Sequence, residues 1–256
     1  MTTYSLAVIG GDGIGPEVSA EAVKVVGAAA DRFGFGVSFT QYELGGGRYL
    51  RTGELLPPTV VANLSAHDAI LFGAVGVPDV EPGLVERAVI LGLRAAFDQY
   101  VNLRPIRLLQ GAPSPIAGLM PASCDLVVVR ENIEGLYGNL GGVAYQGTDA
   151  EVAIQESVNT RFGVERIVRD AFARAQRRRG KVTVCHKTNV LTHAGSLWMR
   201  VARDLAGEYP GVELDYVNVD AMALYLVTDP ARFDVVVTDS MFGDIITDLG
   251  AAVTGG

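Results

Sequence analysis

Cysteine occurs twice, histidine three times and tryptophan once in this chain of 256 residues. The two cysteines, Cys124 and Cys185, each sit inside an apolar run; they exclude a disulfide framework and read as small buried hydrophobes of a reducing compartment. His67, His186 and His193 show no ligand spacing, which excludes a Cys/His zinc centre and leaves them without an assigned role. Basic residues are outnumbered, 21 Lys and Arg against 29 Asp and Glu for a net charge of -8, so the basic face that nucleic-acid phosphates require is missing. Only Arg177, Arg178, Arg179 and Lys181 form a basic run, expected to be a solvated helix C-terminus favoured by the helix dipole. No apolar run approaches the ~18 residues of a membrane-crossing helix, and the N-terminus lacks the basic start and cleavage pattern of a signal peptide. A cytoplasmic protein with neither a nucleic-acid nor a membrane partner is expected.

What is present describes a folded chain. A 49% hydrophobic and 20% charged composition excludes disorder, and the length suits one domain or two. Strand-like and helix-like segments alternate at first: strands at 5–9, 37–41 and 69–72, a helix opening at Pro16, and another at 58–65. In the first helix Val18, Ala22, Val25, Val26, Ala29 and Phe33 recur at helical spacing. This rhythm predicts an α/β fold on a parallel sheet. Near residue 100 the texture changes. Strands at 101–107, 126–130, 141–146 and 151–158 follow one another without a long helix, so a mixed or antiparallel region is expected, and the last two suit an arm that pairs with another subunit. Alternation then resumes, with a helix striped by Val164, Ile167, Val168, Ala171, Phe172 and Ala175, a strand at 182–185, a helix at 193–209, and strands at 214–219 and 234–238. A final helical pattern begins near Phe242.

Several motifs could carry chemistry. Gly10-Gly-Asp-Gly-Ile-Gly-Pro-Glu17 joins a strand to a helix, but its glycines miss the dinucleotide-fold spacing; it is either a tight structural turn or a ligand loop. Arg94 shares a helix face with Ile90 and Leu91, Arg104 lies in a strand, and Arg130 ends a buried one. Each is open to an internal salt bridge, and together they would suit a multiply carboxylated ligand. Asp244 and Asp248, four apart on one helix, repel unless a cation or the helix N-terminus offsets them. Asp220 adds a third carboxylate, and hard oxygen donors suit Mg²⁺ or Mn²⁺. Lys187 follows a strand where ligands of α/β folds bind. It and Tyr137 are either surface residues or proton-transfer groups, the latter if a nearby cation lowers their pKa.

Taken together, these stretches resemble the β-decarboxylating dehydrogenases, the isocitrate/isopropylmalate dehydrogenase family. The likeness is carried by Gly11-Asp-Gly-Ile-Gly-Pro-Glu-Val18, Leu93-Arg94, Tyr100-Val-Asn-Leu-Arg-Pro105 and Val129-Arg-Glu-Asn132. It continues through Glu134-Gly-Leu-Tyr137, Lys187-Thr-Asn-Val-Leu191, Val219-Asp-Ala-Met-Ala223 and Phe242-Gly-Asp-Ile-Ile-Thr-Asp248. Within the family the chain is most similar to 3-isopropylmalate dehydrogenases of actinobacterial type. The resemblance implies two α/β domains on a largely parallel sheet, a second mixed sheet, a β arm near 141–158 and a cofactor site that is not of the Rossmann kind. It implies a first domain of residues 1–99 plus 251–256, whose C-terminal part lies beyond this chain, and a second of 100–250. It further implies that Arg94, Arg104 and Arg130 clamp the substrate carboxylates, with Ile90 and Leu91 facing an alkyl group. Asp220, Asp244 and Asp248 would hold Mg²⁺ or Mn²⁺, Lys187 and Tyr137 would move protons, and Ile14 and Asn189 would lie near the nicotinamide of NAD. Asp220 and Lys187 would serve the partner's site across a homodimer. The implied reaction is oxidation and decarboxylation of 3-isopropylmalate to 4-methyl-2-oxopentanoate in leucine biosynthesis. Two departures stand out: Thr238-Asp-Ser240 replaces a common Thr-x-Asn, and the runs 97–104 and 137–142 also resemble the D-malate and tartrate branch. A decarboxylating dehydrogenase for one of those malates and a non-catalytic regulatory subunit are the alternatives. Family members are longer, so the chain is expected to be part of a longer enzyme.

Overall fold

The structure, a computed structural model, describes residues 2–256. It contains two compact units, one ending at Asp98 and one of Gln99–Gly256.

In the first unit, β1 (Thr3–Gly11) runs through a glycine turn into α1 (Gly15–Phe33), followed by β2 (Gly36–Gln41), α2 (Gly46–Thr52), α3 (Pro58–Leu64) and β3 (Ala69–Ala74). The strands form a parallel sheet in the order β2-β1-β3. A π-helical turn at Glu86–Leu91 then runs into α4 (Gly92–Ala96). Ala7 and Ile9 of β1 meet Leu44, Leu64, Val85, Val89 and Leu93 in one buried cluster. The stripe in α1 marks the helix but not its packed face. Val18, Val25 and Phe33 are exposed, while Ser19 and Ala30 are buried. Small side chains let α1 lie close on the sheet, where Ser19 Oγ approaches the backbone of Gly73, and Ala22, Val26 and Ala29 of the stripe are only half-buried.

The second unit opens with β4 (Val101–Arg107) and β5 (Asp125–Glu131), then β6 (Gly135–Ala144) and β7 (Val152–Val158). There follow α5 (Arg161–Ala175), β8 (Lys181–His186), α6 (Thr192–Ala206), β9 (Glu213–Asn218), α7 (Val219–Thr228), β10 (Val235–Thr238) and α8 (Ser240–Val253). Residues 251–256 end that last helix and group with this unit. Its five-stranded sheet runs β4-β5-β10-β8-β9, parallel except for the β4–β5 pair. Strands covered on both faces must be apolar at every position. Val127, Val129, Val182, Val184, Val235 and Val237 pack against α5 and α6, while Leu126, Val128, Cys185 and Val236 pack with Met222, Leu226 and Ile246 of α7 and α8. The expected mixed region is therefore the β4–β5 edge. The ribbon β6–β7 is a separate antiparallel pair, with every residue of β7 exposed.

The basic run follows the end of α5, and Arg177, Arg178 and Arg179 are exposed there as expected. It also clamps the sheet margin. Arg178 binds Asp234 and Asp125, each at 2.8 Å, Arg179 donates its backbone N–H to Asp234, and Lys181 pairs with Glu213 and Asp215. Asp234 is buried and needs these donors.

Candidate active site

In parallel α/β sheets, loops at the carboxyl ends of the strands collect the chemistry. Register places Arg130 at the end of β5 beside Thr238 of β10, Thr238 beside Cys185, and His186 of β8 beside Asn218 of β9. Arg130, Lys187, Asp220 and the start of α8 thus share one edge of the sheet.

Asp244, one turn into α8, is the centre of a cluster there. Its Oδ1 accepts Arg130 Nη1 at 2.6 Å and lies 3.2 Å from Arg104 Nη1, while its Oδ2 accepts the Tyr137 hydroxyl at 2.6 Å. Arg104 also donates to Thr247 Oγ1 at 2.6 Å and to Asn102 Oδ1 at 3.2 Å. The Arg130 guanidinium lies 4.9 Å from the Tyr137 ring centre. Gly243 makes this approach possible: a Cβ there would fall 2.5 Å from Arg130 Cγ. The two arginines therefore meet, and an internal carboxylate is their first partner.

Electrostatics follow from this packing. Burial alone would raise the Asp244 carboxyl, but the Tyr137 hydrogen bond and the charges of Arg130 and Arg104 outweigh it and hold it below the usual carboxylate range. Burial lowers the Arg130 guanidinium, and Asp244 opposes that; an arginine stays charged at neutral pH regardless. Tyr137 moves opposite to the expected direction: burial and its bond to the Asp244 anion raise its pKa. The phenol is held as a proton donor.

Lys187 and Asp220 form a second pair at this edge. Lys187 Nζ donates to Asp220 Oδ1 at 2.7 Å, and this bond lowers the Asp220 pKa. Asp220 is on α7, a helix the sequence pattern did not separate from the strand before it. Among the described residues no three His, Cys, Asp or Glu side chains gather as one metal-holding group. Asp248 lines a hollow of ≈ 400 Å³ with Arg104, Thr247 and Leu103. Asp244, partly exposed, and Asp248 on the next turn are two hard-oxygen donors of the kind a divalent cation takes, and both Asp244 oxygens are already engaged by the arginines and Tyr137.

The first unit holds the other expected residues. Ile90 and Leu91 end the π-helical turn, Arg94 is in α4, and all three are half-buried. The glycine turn is structural: Asp12 accepts backbone N–H groups from Gly46, Gly47 and Gly76 at 2.7, 3.0 and 3.0 Å. Ile14 at the head of α1 is exposed, as is Asn189, which lies beyond β8 in the second unit.

Two buried groups escaped the sequence reading. His186 is fully buried between Trp198 and Phe242, with both ring nitrogens lacking a hydrogen bond and Nε2 3.8 Å from Asp239 Oδ2. Burial depresses His186 to about 4 and raises Asp239 to about 6. Asp239, in the segment that departs from the family pattern, accepts Phe242 N–H at 2.8 Å and caps α8. No ligand spacing marks His186; only the apolar strand around it hinted at burial.

Comparison with known proteins bears on the family and the fold. A profile described as isocitrate/isopropylmalate dehydrogenase matches residues 5–256. The chain is 58% identical over 255 residues to the 3-isopropylmalate dehydrogenase of Thermobifida fusca, spanning 99% of this chain and 72% of that protein. It is 56% identical over 252 residues to the enzyme of the same name from Frankia casuarinae, spanning 98% and 72%. Among solved structures, isocitrate dehydrogenase from Methylococcus capsulatus superimposes with a TM-score of 0.86 at 36% identity, covering 99% of this chain and 71% of that one. A β-decarboxylating dehydrogenase from Thermococcus kodakarensis gives 0.72 at 37% identity, covering 97% and 68%.

Proposed function

The chain belongs to the isocitrate/isopropylmalate dehydrogenase family, and on that ground we propose that it oxidises and decarboxylates 3-isopropylmalate to 4-methyl-2-oxopentanoate and CO₂ in leucine biosynthesis. The observation that carries this reading is the convergence of Arg104, Arg130 and Tyr137 on Asp244 in a chain 58% identical to such an enzyme. Arg104 and Arg130, with Arg94 of the first unit, bind the two carboxylates of the malate, for which guanidinium forks are matched partners. Ile90 and Leu91 take the isopropyl group. Lys187, as the neutral amine, accepts the proton of the 2-hydroxyl as the alcohol carbon is oxidised. Loss of the 3-carboxylate as CO₂ leaves an enol, and Tyr137, kept protonated by its surroundings, returns a proton to that carbon. When bound, NAD supplies the hydride acceptor and a divalent cation supplies the Lewis acid that stabilises negative charge on the 2-oxygen. Asp244 and Asp248, with Asp220 of a second subunit, would hold the cation; Ile14 and Asn189 would line the nicotinamide. We read the protein as a homodimer whose exposed β6–β7 ribbon pairs with its counterpart. The buried, unbridged Cys124 and Cys185 suit the reducing cytoplasm.

The test is incubation with Mn²⁺, NAD and, in turn, 3-isopropylmalate, D-malate, tartrate and isocitrate while NADH is followed. Fastest turnover of 3-isopropylmalate is expected. Faster turnover of D-malate would move the substrate to the other branch, and ligand binding without NADH would make the chain a regulatory subunit.

A further inference from the structure

A single phenolic oxygen stands between the loops that carry Lys187 and Asp220. Tyr216, half-buried on β9, accepts the Thr188 N–H at 3.1 Å and the Thr188 hydroxyl at 2.9 Å. Its own proton is directed to Asn218 Oδ1 at 2.7 Å, with the His186 carbonyl a second acceptor at 3.2 Å. A phenol has one proton and two lone pairs, so these contacts saturate it. The peptide groups on both sides of Lys187 are therefore tied to one atom. The same atom holds Asn218, the residue just before α7 and two positions before Asp220. The loop is pinned from its far side as well: the Lys187 carbonyl accepts Val190 and Leu191 N–H groups, and Gly195 of α6 packs so close that a Cβ would lie 2.7 Å from Thr188 Cα.

A lysine side chain has a flexible four-carbon stem, so its ammonium is only as well placed as its backbone and its partner. Resting on the reading that Lys187 receives the substrate proton, we propose that Tyr216 is a positioning residue for that transfer. Its hydroxyl fixes the spacing of the two strand ends, so that Lys187 Nζ and Asp220 Oδ1 meet at 2.7 Å. Proton transfer needs donor and acceptor within hydrogen-bond reach, and small displacements cost large factors in rate.

Tyr216→Phe removes the oxygen and keeps the ring. In the full chain, with 3-isopropylmalate, NAD and Mn²⁺, kcat should fall about tenfold with KM changed less than about twofold. The solvent deuterium isotope effect on kcat should rise, because proton transfer becomes more rate-limiting. Thr188→Val, which keeps its amide and loses one contact, should show the same signature with about a threefold loss. An unchanged kcat in Tyr216→Phe overturns the proposal. So does a loss of activity that tracks a lowered thermal midpoint while the isotope effect stays put, since that is a packing defect. If the parent chain turns over none of the malates, the functional reading falls. Hydrogen exchange then judges the bracing: faster exchange of the Thr188 amide in Tyr216→Phe supports it, and unchanged exchange overturns it.

Discussion

Asp244 satisfies three donors with one carboxylate, and two of them are cations. Asp244→Asn keeps the shape and removes the charge, leaving Arg130, 1% exposed, without its counter-ion. Because Asp244 is itself partly exposed, the expected loss of stability is modest, about 1–2 kcal/mol in urea titration. Turnover should fall by more than about a hundredfold, since the arginine pair and the hard-oxygen set both depend on this group. His186 and Asp239 make a prediction about pH. His186 resists protonation when folded, at about 4 against an ordinary 6.5, so its contribution is present above 6.5 and is lost as pH falls toward 4. Asp239, raised to about 6 from 3.8, works the other way: its contribution is present below 3.8 and is lost as pH rises through 6. In the parent chain the two oppose each other. His186→Gln leaves Asp239 alone, so relative to the parent the variant should gain about 3 kcal/mol between neutral pH and pH about 4. Equal shifts of the urea midpoint in both proteins would refute this. At this scale the sequence announced the arginines, Lys187 and the aspartates, because their types and flanking strands point to ligands. It could not show that Asp244 is the arginines' internal partner, that Tyr137 is raised, or that His186 is dry, since each depends on residues more than fifty positions apart or on burial.

Among the elements, the clamp around Asp234 joins the end of α5 to β5, β8 and the approach to β10. Asp234→Ala would strand the Arg179 N–H and weaken Arg178, which keeps Asp125; a loss of about 2 kcal/mol is expected, with KM for substrate unchanged. Urea unfolding followed by circular dichroism reads the first, and steady-state kinetics the second. The strands of the second unit were legible because a sheet covered on both faces writes itself as runs of valine. Helix α7 was not, because it follows β9 without a breaker and is apolar on nearly all sides, so neither a stop nor a period marks Val219. Helix α2 begins with glycines and is too short for a period. In α1 the period was plain but the packed side was the one with small residues, a choice made by the sheet beneath it.

At the scale of the whole molecule, the change of texture near residue 100 coincides with the end of the first unit at Asp98. The ribbon β6–β7 exposes Leu140, Val143, Val152 and Ile154, a surface apolar enough to suit pairing with a second copy. On the proposed homodimer with a shared site, Ile154→Asp should give a monomer in analytical ultracentrifugation and abolish turnover, because each site would lose the partner's lysine; a monomeric but fully active variant would refute the shared site. The proposed sharing of Lys187 and Asp244 between two subunits has a genetic consequence. On that proposal, a chain lacking Lys187 and a chain lacking Asp244 would each be dead as homodimers, yet would carry complementary halves of the same chemistry. Unfolded together and reassembled at random, they should recover roughly a quarter of the parent activity, since half the dimers are mixed and one of their two sites is whole. Two null alleles of this gene would then complement one another in a single cell.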